Sequence, residues 1–183
     1  LALPFRLSDG ALMVDRHMET SIKGIFAAGD VIGGKLLAHL AYAEGRVAAE
    51  NALGYKSVVH YNAVPACVYT SPEIATVGMN ETEAARQGIS IRIGKSNFRA
   101  NGRALTLGER EGFVKIIADD GGTIIGGQIL GGGASELISE LTLAITVRAN
   151  AAVIADMIHP HPSLSEVVWE ACGDALVRSL HGI

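Results

Sequence analysis

The sequence predicts an α+β domain, an antiparallel sheet with helices on one face, preceded by a short strand, glycine turn and helix of α/β type. Three observations carry that prediction. After residue 60, strand-like runs come before helical runs instead of alternating with them, as in α+β domains. Residues 1–60 hold one strand-turn-helix pattern and no sheet for it to pack on, too little for a domain of its own. Apolar residues make up 49% of the 183 and charged residues only 19%. That is ample for a core and below the ~25% charge of ordinary domains, so part of the surface is expected to be covered by another chain. The boundaries read as 1–60 and 61–183.

The elements follow in order. Residues 11–14 read as a short strand after the Asp9-Gly10 turn signal. Residues 24–30 read as a buried strand that stops at Gly29-Asp30. Leu36, Leu40, Ala43 and Val47 recur at helical spacing, predicting a helix over 36–53 with Gly54 as its stop. Residues 66–70 and 74–78 read as strands about Ser71-Pro72-Glu73, 81–87 as a short helix and 89–97 as a strand. Residues 113–118 and 124–130 form a hairpin about Asp120-Gly121-Gly122. The Gly131-Gly132-Gly133 run precedes a helix over 134–147, and a short helix follows over 151–157. After His159-Pro160-His161-Pro162 a last helix spans 163–180.

Composition excludes several functions. High hydrophobicity excludes disorder, and 22 glycines without a period exclude collagen. Fifteen basic against nineteen acidic residues give a net charge of −4, and the basic residues are scattered, so no nucleic-acid footprint is predicted. No apolar run approaches the roughly 18 residues of a membrane helix, and no signal peptide pattern is present. Cys67 and Cys172 form neither a disulfide framework nor a metal knuckle, which suits a reducing compartment, the cytoplasm. The chain opens Leu1-Ala2-Leu3-Pro4, as expected for the tail of a longer protein.

Two stretches carry chemistry. Asp30 follows Gly29 at the end of a predicted strand, where α/β sheets bind ligands. Its carboxylate can accept a bond from a sugar-like hydroxyl, and the helix behind it aims free N–H groups at whatever lies beyond Gly33-Gly34. The plain alternative is that Asp30 caps a turn. In His159-Pro160-His161-Pro162-Ser163-Leu164-Ser165-Glu166, two prolines hold the imidazoles on extended backbone. A histidine beside a carboxylate can act as a general base. A His-x-His metal pair lacks a third ligand nearby, and no metal is expected. Ser163 to Glu166 equally fits a capping box that only closes a helix.

Taken together, these blocks resemble one family. Residues 20–31, Thr-Ser-Ile-Lys-Gly-Ile-Phe-Ala-Ala-Gly-Asp-Val, followed by Leu36-Leu37-Ala38-His39 and Glu44-Gly45, resemble the second flavin-binding motif of the pyridine nucleotide-disulfide oxidoreductases. Residues 68–78, Val-Tyr-Thr-Ser-Pro-Glu-Ile-Ala-Thr-Val-Gly, resemble the start of their dimerisation domain. Ala100-Asn101-Gly102-Arg103-Ala104 and Gly112-Phe113-Val114-Lys115 fit its middle, and His161-Pro162-Ser163-Leu164-Ser165-Glu166 fits its C-terminal signature. The resemblance covers nearly the whole chain. It implies that 1–60 is the end of an FAD-binding domain and 61–183 a dimerisation (interface) domain.

The resemblance also implies roles. Asp30 would bond the flavin ribityl chain, with Gly29 allowing close approach. Leu37 and Ala38, with His39 beside them, would present backbone N–H groups to the flavin pyrimidine end. His161 would be the base for a dihydrolipoamide thiol, and Glu166 would orient it. In this family that pair serves the other subunit of a homodimer. Residues from about 63 onward would form the interface, with Leu137, Leu141 and Ile145 and the last helix contributing. The branch favoured is the one that oxidises dihydrolipoamide, carried on an acyltransferase of a 2-oxoacid dehydrogenase complex, with FAD and NAD as cofactors. The redox cysteine pair, the Gly-x-Gly-x-x-Gly loop and the nicotinamide domain are not in this sequence. Both cofactors would therefore need an N-terminal part, and this stretch alone would be inactive. A glutathione-reductase-like NADPH enzyme and a non-catalytic dimerisation module are the competing readings.

Overall fold

Five runs rich in Val, Ile and Ala pair as strands in the structure, a computed structural model that describes Arg6 and residues 10–178. They are β1 (Ala66–Val68), β2 (Glu73–Gly78), β3 (Ile91–Asn97), β4 (Phe113–Asp119) and β5 (Ile124–Gly131). All neighbours are antiparallel, in the order β1-β2-β5-β4-β3. The helices are α1 (Ala38–Ala52), α2 (Glu81–Arg86), α3 (Gly102–Leu107), α4 (Ala134–Thr146), α5 (Ala151–Ala155) and α6 (Glu166–Asp174). The chain divides into two units, Leu1–Tyr61 and Asn62–Ile183.

In the second unit, cross-strand register aligns Val77, Gly127, Ile116 and Gly94 in one row, so they share one face of the sheet. That face receives α4 and α6. A Cβ at Gly127 would lie 2.5 Å from a Leu141 methyl of α4, and one at Gly94 would lie 2.0 Å from the Ala171 carbonyl of α6. Glycine at 94 therefore sets how closely α6 rests on β3. Val77, Val114, Ile116, Ile124 and Ile129 meet Ile138, Leu141, Ile145, Val168 and Ala171 in one core. The short α2 is tied to the opposite face, where Lys115 pairs with Glu81 at 2.5 Å.

Differences from the expected elements have local causes. Leu141 and Ile145 are buried in their own core instead of lining an interface, while Leu143 of α4 and Val147 just after it are exposed. Leu137 is partly buried against that core. α6 starts three residues later than the predicted 163 and ends at Asp174. There Val177 turns left-handed (φ 60°) and Arg178 N–H reaches back to the Gly173 carbonyl at 2.8 Å, a Schellman closure. Residues 179 and 180 lie outside the described residues. The strand at 89–97 begins at Ile91 and the one at 66–70 ends at Val68. α3 was not foreseen, although Asn101 caps it by accepting from the Ala104 N–H at 2.9 Å.

In the first unit, the buried strand expected at 24–30 is absent. Phe26 makes a single bridge to Glu19, Gly29–Ile32 is a 3₁₀ turn, and none of residues 24–30 is fully buried. Val14 likewise makes one bridge, to Thr20. The backbone groups are satisfied by short-range bonds such as Thr20 N–H to Ile25 O and Ala27 N–H to Met18 O, so no ladder extends. α1 starts at Ala38 because Leu36 is left-handed (φ 47°) and Leu37 extended. It buries Leu40, Glu44 and Val47 and stops before Gly54, whose φ of 92° a helix cannot use.

Candidate functional site

The richest site lies on the loop between α5 and α6. His161 Nδ1 stands 2.8 Å from Oε1 of Glu166, the first residue of α6. The other oxygen, Oε2, accepts the Ser163 N–H at 2.8 Å. Glu166 thus makes the backbone half of a capping box and the imidazole contact at once. The hydroxyl half is not made, because Ser163 Oγ pairs with Ser165 Oγ at 2.9 Å. Partial burial pushes the Glu166 carboxyl up, but the Ser163 N–H, the His161 bond and the charges of His161 and His159 outweigh it and hold it below the usual range. The His161 side chain is 77% exposed, so the ring is aimed by Glu166 and open on its far side.

Asn101 supports this loop and was missed as a site residue. It is buried, its Nδ2 donates to Ser163 O at 2.8 Å and its Oδ1 caps α3. An Asn before a short helical run is a cap signal that could have found it. A cleft of about 120 Å³ opens beside His161 and Glu166, lined by Asn97, Asn101, Trp169 and Glu170 among others. His159 does not join it: its side chain is 4% exposed and its Nε2 lies 3.0 Å from Glu140 Oε1 on α4. Cys172 is buried and its thiol is pushed well up, first by burial and then by Glu140.

The five residues expected from the sequence to meet a flavin fall on two adjoining pieces of the first unit. The 3₁₀ turn that packs on α1 carries Gly29 and Asp30, and the start of α1 carries Leu37, Ala38 and His39. Gly29 is left-handed (φ 76°), with Ala41 3.2 Å from where its Cβ would stand. Its N–H donates to the buried Glu44 at 2.8 Å. Glu44 also accepts from Tyr61 Oη at 3.0 Å. Asp30, Ala38 and His39 are exposed, and no side chain caps α1. A larger cleft of about 450 Å³ in this unit is lined by Arg16, Lys35, Glu44 and Tyr61 among others, but by none of the five. Among the described residues no helix is long and apolar enough to cross a membrane.

The chain is similar to known proteins in both sequence and fold. Residues 64–172 match the family model described as pyridine nucleotide-disulphide oxidoreductase, dimerisation domain. Residues 2–45 match that of pyridine nucleotide-disulphide oxidoreductase. The chain belongs to the pyridine nucleotide-disulphide oxidoreductase family. Among curated relatives it is 47% identical to a dihydrolipoyl dehydrogenase of Halobacterium salinarum and 46% identical to that of Geobacillus stearothermophilus. Both alignments cover 94% of this chain, and the chain spans 37% of the length of each relative. Its fold is similar to that of LpdA from Mycobacterium tuberculosis (TM-score 0.84, 37% identity, 92% of this chain and 37% of that one). It is also similar to the HOCl-induced flavoprotein disulfide reductase RclA from Escherichia coli (TM-score 0.85, 26% identity, 93% and 40%).

Proposed function

We propose that this chain is the C-terminal part of a flavin-dependent dihydrolipoamide dehydrogenase, which oxidises dihydrolipoamide with NAD through FAD and a cysteine disulfide elsewhere in the full-length protein. The observation that carries this reading is an exposed imidazole aimed by an ionised, anchored carboxylate. The identity to relatives named dihydrolipoyl dehydrogenase supports the choice of substrate.

Glu166 only accepts at Nδ1, so Nδ1 carries the hydrogen and Nε2 offers its lone pair. Nε2 takes the proton of a dihydrolipoamide thiol, and the S–H electron pair stays on sulfur. The resulting thiolate is the nucleophile that attacks a disulfide. The imidazolium left behind is stabilised by the Glu166 charge 2.8 Å away. Neither described cysteine suits the disulfide: Cys172 is buried and Cys67 lies half-buried in β1. By the likeness to the family's dimerisation domain, we place His161 in the active site of the other subunit of a homodimer. The exposed apolar residues Leu143, Val147 and Ile158 of the second unit support such an interface. Dihydrolipoamide would arrive on an acyltransferase of a 2-oxoacid dehydrogenase complex, in the cytoplasm.

The donor set of the first unit fits a flavin. Asp30 offers an exposed carboxylate to hydroxyl groups, and the start of α1 at Leu37 and Ala38 offers backbone N–H groups to a carbonyl edge that gains negative charge. FAD, when bound, supplies the two-electron acceptor between dithiol and nicotinamide. No residue of this chain is assigned to NAD. In the full-length enzyme, His161→Gln is expected to lower lipoamide turnover by about 10²–10⁴-fold, the usual weight of a general base, with fold and flavin content retained. Unchanged steady-state turnover would reject the reading.

A further inference from the structure

Two histidines, two residues apart, have opposite surroundings. His161 is 77% exposed and His159 only 4%. The His159 ring has an acceptor oxygen near each nitrogen, Glu140 Oε1 3.0 Å from Nε2 and the Met157 carbonyl 3.3 Å from Nδ1. It lies beside Trp169 of α6, ring centroids 6.4 Å apart. The Trp169 indole in turn donates to the Ala155 carbonyl at 2.7 Å. The chain entering His161 is thus fastened to α4 and α6. The chain leaving it is fastened two residues on, where Asn101 donates to the Ser163 carbonyl.

An exposed ring between two buried anchors takes its position from them. We propose that His159, held by Glu140, is a positioning residue that sets where the His161 imidazole stands on Glu166, with Asn101 as the anchor on the other side. This rests on the reading of His161 as the base. Small displacements of such a group are costly, of the order of 10²-fold in rate per ångström. The titratable groups that act on His159 are Glu140 from α4, at 3.0 Å, and Glu166 from α6, through its charge. The buried ring ties the near end of the loop to Glu140, while the exposed ring uses Glu166.

The test is histidine-selective proton–nitrogen NMR on the 183-residue chain, which reads the His161 Nδ1–H held on Glu166 without requiring turnover. In His159→Leu the protection of that proton from exchange is expected to fall about tenfold or more, as local opening becomes easier. His159→Gln keeps an N–H donor toward Glu140 and should retain most of the protection. Glu140→Ala approaches the same pair from α4 and should reproduce the loss even if His159→Leu does not fold. In the full-length enzyme the same variants should lower kcat while leaving KM for dihydrolipoamide unchanged. Wild-type protection of His161 in folded His159→Leu or Glu140→Ala overturns the proposal, as does His159→Gln losing as much as His159→Leu. Failure of the base reading looks different: His161→Gln would then leave turnover untouched while the NMR response to His159 persists.

Discussion

The two units are about equally rich in apolar residues and put them to different ends. In the second, alternating strands and amphipathic helices bury each other, and Phe98, Val114, Ile116, Ile129, Leu141 and Val168 are almost wholly excluded from solvent. In the first, one helix and isolated bridges bury Ala11, Met18, Leu40 and Val47, and the apolar run 24–30 stays half-exposed. The lesson concerns where each candidate site sits. The His161–Glu166 pair stands on the rim of a self-supporting core. The Gly29–Asp30 turn is held by one buried carboxylate, Glu44, and by the start of one helix.

The largest expected effect tests the well-packed side of this contrast. Phe98 is fully buried between β3 and α3, and its ring fills the space where Gly131 would carry a Cβ. Its carbonyl also accepts the Asn101 N–H at 3.0 Å. Phe98→Ala should destabilise the second unit by about 3–5 kcal/mol and loosen the Asn101 anchor with it. Chemical denaturation followed by Trp169, the single tryptophan, reads this directly. A loss below about 1 kcal/mol would mean that the core around Phe98 is not closed.

The matching change in the first unit should cost less. Val47 is 1% exposed on α1. Val47→Ala removes two methyl groups from a small core, about 1.5 kcal/mol at ~0.8 kcal/mol per buried carbon. Amide exchange along 38–52 should accelerate accordingly. A cost as large as that of Phe98→Ala would erase the distinction between the units.

The sequence was legible where residues answer to local rules and illegible where they answer to neighbours. The Asp119–Thr123 hairpin and the Gly54 stop are local, and each lies where turn and cap chemistry puts it. The strand at 24–30 failed because a strand exists only through a ladder, and in the first unit Phe26 finds a single bridge. The outward face of α4 was misread because helical spacing names a stripe, Leu137, Leu141 and Ile145, without saying which neighbour it meets; the sheet took it. At the site, His161 and Glu166 were visible as a motif. Asn101 and Glu140 were not, since sequence separations of 62 and 19 residues carry no spacing signal.

The smallest effects concern pH, and they should separate the units by direction. In the second unit three carboxyls are held below the usual range. The Ser135 N–H and hydroxyl act on Glu73, the Lys115 ammonium on Glu81, and the Ser163 and His161 bonds outweigh burial at Glu166. A lowered folded value means that the unfolded chain binds more protons in acid. The stabilisation is therefore complete above the ordinary ~4.3 and lost as pH falls through the folded values. In the first unit Tyr61 is pushed up to about 12, first by burial and then by its bond to Glu44 and that group's charge. A raised folded value works the other way: the stabilisation is complete below the ordinary ~10 and lost as pH rises toward about 12. The ring is 46% exposed, so screening keeps this effect small. Glu50 on α1 is lowered too, first by Ser57 and then by Arg46, so the first unit carries an acid-sensitive carboxyl beside its tyrosine. Trp169 fluorescence should therefore report softening of the second unit in acid, and Glu73→Gln should reduce it. Phenolate absorbance should show a late-titrating tyrosine, and Glu44→Gln should bring its midpoint back toward the ordinary ~10. If Glu44→Gln leaves that midpoint in place, the buried carboxylate under the Gly29 turn is not the group that holds Tyr61.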